Sequence, residues 1–421
     1  MRKGVAKVIV LSSMGGAIEF YDFTIYLFLS SELKSLFFPS SDRFVSLLGV
    51  LLMFALGYLV RPIGGVLFGH FGDRYGRKKV FTASVMFMAI STFLIGLLPT
   101  FSTAGIYSVI MLVILRLIQG LSLGGEIPGA LTFVGEYVKK EIRGLTCAIV
   151  FASLISGMVI GSIFVLLLEY CLDHEQMLAY GWRIPFLCGG LAGMISFVMR
   201  KKLSETVIFQ TFEQEAEAHR MPIFNVFTKH FKGLIASVLL VWLVASVVTL
   251  LYIFMPTYLI NYLNYPEKHV DTLNTINIII FALLIVPAGW MSDRLGRRPV
   301  IFFGALGLFV FGFPLFLLLG IGSLFWLGVS MFVFSIFCSA IAGAFSSALV
   351  EQFATESRYS GVAVAYNISF AIFGGLTPLI AILLVRYTTI IASPSFYLML
   401  SGLAAVIGCS LMRVRHRASL N

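Results

Sequence analysis

What most constrains this chain is the length of its apolar runs. Stretches near 20 residues, almost free of charge, recur from 8–30 to 395–412. That length carries an α-helix across a hydrocarbon core of ~30 Å at about 1.5 Å per residue. Hydrocarbon offers no partner to a backbone N–H or C=O, so such runs must be helical. A membrane β-barrel would instead show short alternating segments, and none dominates. Composition agrees. Of 421 residues 59% are hydrophobic and 12% charged, with a mean hydropathy of +0.97, whereas soluble domains carry roughly 25% charge.

Twelve spans can be drawn: 8–30, 45–71, 80–98, 105–132, 144–168, 183–200, 233–260, 272–291, 300–320, 323–349, 360–385 and 395–412. An even number puts both termini on one side. Of the 30 Lys and Arg, 23 fall on that side and five on the other, so the positive-inside rule makes the termini cytoplasmic. The net charge of +10 follows from this bias and is no sign of a nucleic-acid partner. Arg2, Lys3 and Lys7 precede an apolar stretch that carries Glu19 and Asp22, with no small-residue cleavage site after it. This reads as an uncleaved first helix. Cys147, Cys171, Cys188, Cys338 and Cys409 match no metal motif, and the histidines are never paired across helices. No metal, haem or enzyme chemistry is expected.

The polar segment 201–232 divides the spans six and six, giving an N-terminal bundle at 1–200, a cytoplasmic linker and a C-terminal bundle at 233–421. The linker reads as a solvated surface helix. Two loops reveal a duplication. Gly72-Asp73-Arg74-Tyr75-Gly76-Arg77-Lys78-Lys79 follows the second span, and Ser292-Asp293-Arg294-Leu295-Gly296-Arg297-Arg298-Pro299 follows the eighth. Glu136 and Arg143 follow the fourth span seven residues apart, as Glu351 and Arg358 follow the tenth. Parallel six-helix repeats imply a pseudo-twofold axis along the membrane normal, with a substrate path between halves. An aspartate such as Asp73 can meet a helix N-terminus or an arginine. Such links would hold the cytoplasmic side shut in one state and break in the other.

These loops resemble those of the major facilitator superfamily. Further stretches are similar to its metabolite–proton symporters, which carry proline and betaine, α-ketoglutarate, shikimate or citrate. They are Gly16-Ala17-Ile18-Glu19-Phe20-Tyr21-Asp22-Phe23, Leu59-Val60-Arg61-Pro62-Ile63-Gly64-Gly65, Arg116-Leu117-Ile118-Gln119-Gly120 through Gly124-Gly125-Glu126, Gly181-Trp182-Arg183-Ile184-Pro185-Phe186, and Tyr366-Asn367 with Gly374-Gly375. Phe20, Ile127 and Pro128 depart from the family pattern. The resemblance implies an all-α membrane protein of two six-helix bundles in the bacterial inner membrane. It further implies a monomer that imports a small polar solute with protons and uses no other cofactor.

Ionisable residues inside spans cost several kcal/mol unless paired or hydrated. Glu19 and Asp22 share one helix face. Glu19, Arg61 and Arg116 each lie about ten residues into a span, ~15 Å deep. Two acids and two bases therefore meet near the midplane, with Glu126 near the cytoplasmic edge. A carboxylate that moves relative to an arginine changes its proton affinity. Glu19, Asp22 and Glu126 are thus expected to couple protons, and Arg61 and Arg116 to bind substrate. Spans seven to twelve hold no charge in their apolar cores but do carry Trp242, Tyr366 and Asn367. With Tyr26, these are expected to close around the solute, since aromatic faces suit a quaternary ammonium. A permanent structural role for the ion pairs stays open. An efflux carrier of the same fold is less favoured, because no proline bends the fifth span between Gly144 and Leu168. A zwitterion such as proline or betaine is expected slightly ahead of a carboxylic acid.

Overall fold

The computed structural model describes residues 3–75, 77–124, 126–203, 226–228 and 230–412. Side chains are described within these except at 3–15, 69–82, 126, 133, 137, 199–203 and 355–356. The expected linker helix (204–225) and the side chains of Asp73, Arg74, Arg77, Lys78 and Glu126 lie outside the described residues.

Among the described residues, twelve helices cross the molecule. They are α1 (Lys3–Phe28), α2 (Arg43–Phe68), α3 (Arg77–Leu97), α4 (Ile106–Glu136), α5 (Lys140–Cys171), α6 (His174–Val198), α7 (Phe231–Ile253), α8 (Glu267–Leu295), α9 (Arg297–Leu319), α10 (Leu324–Glu351), α11 (Ser357–Thr388) and α12 (Pro394–Leu411). Ten of them are long and apolar enough to cross a membrane among the described residues. Large apolar side chains such as Val66, Tyr107, Leu283 and Phe325 stand exposed on the outside, as a lipid-facing surface requires. This is an integral membrane protein.

The packing repeats. In the first bundle α1 lies along α5, α2 along α4 and α3 along α6. In the second, α7 lies along α11, α8 along α10 and α9 along α12. Between bundles, α5 runs beside α8, and α11 meets both α2 and α4.

Two features differ from the sequence expectation. The helices outrun the predicted spans: α1 continues past a turn at Leu29 as Ser30–Phe37, and α8 begins at Glu267. The 29 residues of α8 reach ~43 Å, beyond the ~30 Å core. Hydropathy registers only the middle, because polar residues are tolerated where helix ends leave the hydrocarbon. The helical path also loosens into wide π-type turns at Val248–Ile253 in α7 and Phe370–Gly374 in α11. Such turns shift the faces of a helix and recur at functional sites. Here one of them abuts the central charges.

Small residues let helix backbones touch there. A Cβ at Gly120 of α4 would run into the Gly57 carbonyl of α2, and one at Gly157 of α5 into the Ala17 carbonyl of α1. Backbone cannot yield as a side chain does. Gly120→Val should therefore lose ~1–3 kcal/mol, whereas Gly328→Ala, with nothing within 4 Å, should be neutral. Melting of detergent-solubilised protein, followed by size-exclusion fluorescence, checks both. Equal melting temperatures would refute the close-contact account.

Candidate functional site

The centre is built from α1, α2 and α4, as their charges require. Glu19 and Arg61 are both 2% exposed and pair at 3.3 Å. Beside them lies a small cavity of about 10 Å³ lined by Glu19, Phe20, Phe23, Thr24, Tyr58, Arg61 and Leu123. The Arg61 guanidinium faces the rings of Tyr58 at 5.4 Å, Phe370 at 5.8 Å and Tyr366 at 6.0 Å. Tyr366 stacks on Phe370 at 4.4 Å, held there by the wide turn of α11. A cation pinned to a carboxylate within aromatic faces is a site for ammonium and carboxylate groups alike.

The second acid and base meet indirectly. Arg116 donates from Nη1 to Gln119 Oε1 at 2.8 Å, and Gln119 Nε2 donates to Thr92 Oγ1 at 2.9 Å. Thr92 in turn donates to Asp22 Oδ2 at 3.2 Å. Arg116 also lies over Tyr26 at 4.0 Å and Phe23 at 4.8 Å. Asp22 Oδ1, Tyr26 OH, Arg61 Nε, Arg116 Nε and Nη2, and Tyr366 OH have no hydrogen-bond partner among the described residues. Buried polar atoms in such number mark a site that exchanges partners. Thr92, Gln119, Tyr58 and Phe370 were missed in the sequence. Helical spacing held the clue for three: Gln119 follows Arg116 by three residues, Arg61 follows Tyr58 by three, and Phe370 follows Tyr366 by four.

At the end that carries the basic loops, the duplicated residues cross over between bundles. Arg143 Nη1 pairs with Glu351 at 3.2 Å, while Arg358 pairs with Glu136. Each repeat's arginine thus takes the other repeat's glutamate. Asp293 accepts from the backbone N–H groups of Gly144 and Leu145, both at 2.8 Å, and so caps the start of the long α-helical part of α5. Arg297 ties the set together, bonding Asp293 at 2.6 Å and Glu351 at 3.3 Å. An aspartate meeting both a helix N-terminus and an arginine is what the loop motif foretold, seen here in its second copy.

Other expected residues lie elsewhere. Trp242 stacks on Phe373 at 4.1 Å and donates to Tyr397 OH at 3.2 Å, so its ring is occupied in packing α7 against α11 and α12. Asn367 donates to the Gly124 carbonyl at 2.5 Å, bridging α11 to α4. Arg294 lies over Trp290 at 3.9 Å. Exposed Arg298 joins no ion pair among the described residues.

The opposite end is closed as well. Ser30 bonds Thr257 at 2.9 Å, Lys34 donates to Asn261 at 2.9 Å, and Ser162 bonds Thr275 at 2.6 Å. Two bundles tied together at both ends over a charged centre have the architecture of a membrane carrier. The sequence matches the model of the Major Facilitator Superfamily over residues 9–378 and 237–421, and the chain belongs to that family. It is 35% identical to the proline/betaine transporter of Salmonella typhimurium (strain LT2), covering 98% of this chain and 84% of that protein. It is also 35% identical to the glycine betaine/proline/ectoine/pipecolic acid transporter OusA of Dickeya dadantii, with 96% and 81% covered. The fold is that of the proton:xylose symporter XylE bound to 6-bromo-6-deoxy-D-glucose. There the TM-score is 0.78 at 17% identity, with 97% and 95% covered. The relatives are named transporters, and the chain is not an enzyme.

Cys147, fully buried in α5 among Arg143, Arg297, Glu351 and Asp293, is a native reporter of the basic end. Reversing one charge, with Glu136→Arg or Arg358→Glu, should speed its alkylation by a permeant maleimide. The paired reversal should restore protection, with a coupling of ~0.5–3 kcal/mol. A thiol that stays unreactive in the single variants would show that these pairs do not hold the end shut.

Proposed function

We propose that this chain is a proton-coupled symporter that imports a small zwitterion of the proline or betaine kind by alternating access. In this reading it works as a monomer in the bacterial inner membrane, with both termini cytoplasmic. Its moving units are residues 1–200 and 233–421, joined by 201–232. The observation that carries it is the Glu19–Arg61 pair at 3.3 Å beside an aromatic-walled void.

The coupling follows from charge balance. Arg61 has one strong partner, and a carboxylate on the solute competes with Glu19 for it. A proton taken up on Glu19 frees Arg61 for the solute, whose ammonium then rests on the faces of Tyr58, Tyr366, Phe370 and Phe23. A proton without solute leaves a buried guanidinium unpaired, at ~3–5 kcal/mol, and that suppresses leak. Solute without a proton sets two carboxylates in competition for one guanidinium. In the empty, deprotonated carrier Arg61 is paired with Glu19, and in the loaded carrier with the solute carboxylate, so these are the states that reorient with the guanidinium paired. Asp22, Arg116 and Glu126 complete the proton-handling and anion-binding set, and Thr92 and Gln119 hold Asp22 and Arg116 in register.

A carboxylic-acid symporter is the second reading, favoured by two buried arginines. The ring faces around Arg61 and the names of the relatives favour the zwitterion.

Proteoliposomes with an alkaline interior should accumulate labelled proline or glycine betaine. Glu19→Gln should abolish gradient-driven accumulation yet keep solute exchange at zero gradient. Accumulation of α-ketoglutarate, shikimate or citrate alone would move the assignment to the second reading. Should the glutamine variant still concentrate solute, Glu19 does not couple the proton.

A further inference from the structure

Four carboxyl groups gather at the outer end of the bundle interface, away from the central site. Glu169 ends α5 and Asp271 opens α8, and the two carboxyls lie within hydrogen-bonding reach of each other. Glu32, on the helix Ser30–Phe37, and Glu267, on α8, both face this pair. Hydroxyl bridges flank it across the same two helices: Tyr170 to Thr272 at 3.5 Å and Ser162 to Thr275 at 2.6 Å. Of the bases nearby, Lys34 faces Glu32 and Glu267 but not the Glu169–Asp271 pair. Lys34 donates to Asn261, and Lys268 lies over the Tyr170 ring at 5.5 Å. Arg43, at the start of α2, faces Lys34.

The site also has unanswered polar atoms. Glu32 is 4% exposed, and its Oε2, like that of Glu169, has no hydrogen-bond partner among the described residues. Asn274 is 1% exposed and donates to the Tyr252 carbonyl at 3.0 Å, leaving its Oδ1 unpartnered. It lines a small cavity of about 10 Å³ together with Asp271, Ser162, Val165, Leu166 and Phe28.

The geometry points to a second proton site, in which one proton shared between Glu169 and Asp271 latches α5 to α8 and closes the outer mouth. Two carboxylates at this separation repel when both are ionised, whereas a carboxyl donating to a carboxylate attracts. Closing the mouth therefore takes up a proton, and losing it drives the helices apart. Glu32 adds to the effect. Burial, then the nearby Glu267, pushes its carboxyl up to about 7 in the closed form. A group whose affinity is raised on closure favours the closed form below that value and releases it as pH rises. The latched proton returns to the side it came from, so it gates the carrier and is distinct from the transported proton. This rests on the alternating-access reading but on no particular solute.

Spin labels at the native exposed Cys171 and at Ile321→Cys, with Cys188→Ser, report the width of the outer mouth in liposomes without solute. Raising the pH from about 5 to 9 should increase the wide-to-narrow population ratio tenfold or more, as roughly one unit of pKa linkage requires. Glu169→Gln with Asp271→Asn should hold the mouth narrow to high pH, leaving only the smaller response that Glu32 supplies. Either single amide should do the same, because an amide can donate to the remaining carboxylate, so a misfolded double variant leaves the test intact. The latch is overturned if the unmodified carrier shows no pH response or if the amide variants respond as it does. It is equally overturned if sodium or calcium at fixed pH, rather than the proton, narrows the mouth.

Discussion

Hydrocarbon answers no hydrogen bond and solvates no charge, so every polar group taken into the membrane must find its partner within the protein. For the backbone the answer is the helix. For Glu19 and Arg61 it is each other, across α1 and α2. For Arg116 and Asp22, which do not touch, it is a relay through Gln119 and Thr92. Four charges are thereby held at the centre of a core that is otherwise built of apolar side chains and small hydroxyls, with the further buried charges Glu32, Arg143 and Arg358 near its ends.

The same rule explains how a tightly packed molecule can have two stable forms. Close helix contact at Gly57, Gly120 and Gly157 in the first bundle, and between Gly289 and Gly343 in the second, packs each bundle tightly. Between bundles the ties at the basic end are ionic: Arg143 to Glu351, Arg358 to Glu136, and Asp293 to the head of α5. The glutamates of these pairs are partly exposed while Arg143 and Arg358 are buried, and backbone contact between Gly144 and Gly289 packs the same end. Duplication adds a second property. Because each repeat's arginine reaches the other repeat's glutamate, the two ties form and break about one axis. At the opposite end the ties are hydroxyl bridges and a cluster of acids, so the two ends answer to different chemistry.

Much of this was readable in the sequence. Apolar run lengths located the helices, and the paired motifs Asp293–Arg297 and Glu136–Arg143 the ionic end. The four midplane charges were singled out by their cost alone. Trp242 could not be assigned from sequence for a physical reason: an indole satisfies itself equally well in packing or against a ligand, and sequence carries no sign of which. Here it stacks on Phe373. The outer acids were passed over because Glu169 and Asp271 fall just beyond the predicted spans, where a charge is unremarkable until its neighbour is known.

By itself, then, the order of residues determined which segments leave water and which side chains cannot bear to do so unpaired, since both follow from transfer free energies along one chain. Tertiary structure alone decided who meets whom. It set Arg61 on Glu19 while leaving Arg116 to reach Asp22 through two intermediaries. It also wound an extra-wide turn at Phe370–Gly374 to bring rings over the guanidinium. Pairing between distant helices depends on their rotation and depth, and these are fixed only when all twelve pack at once.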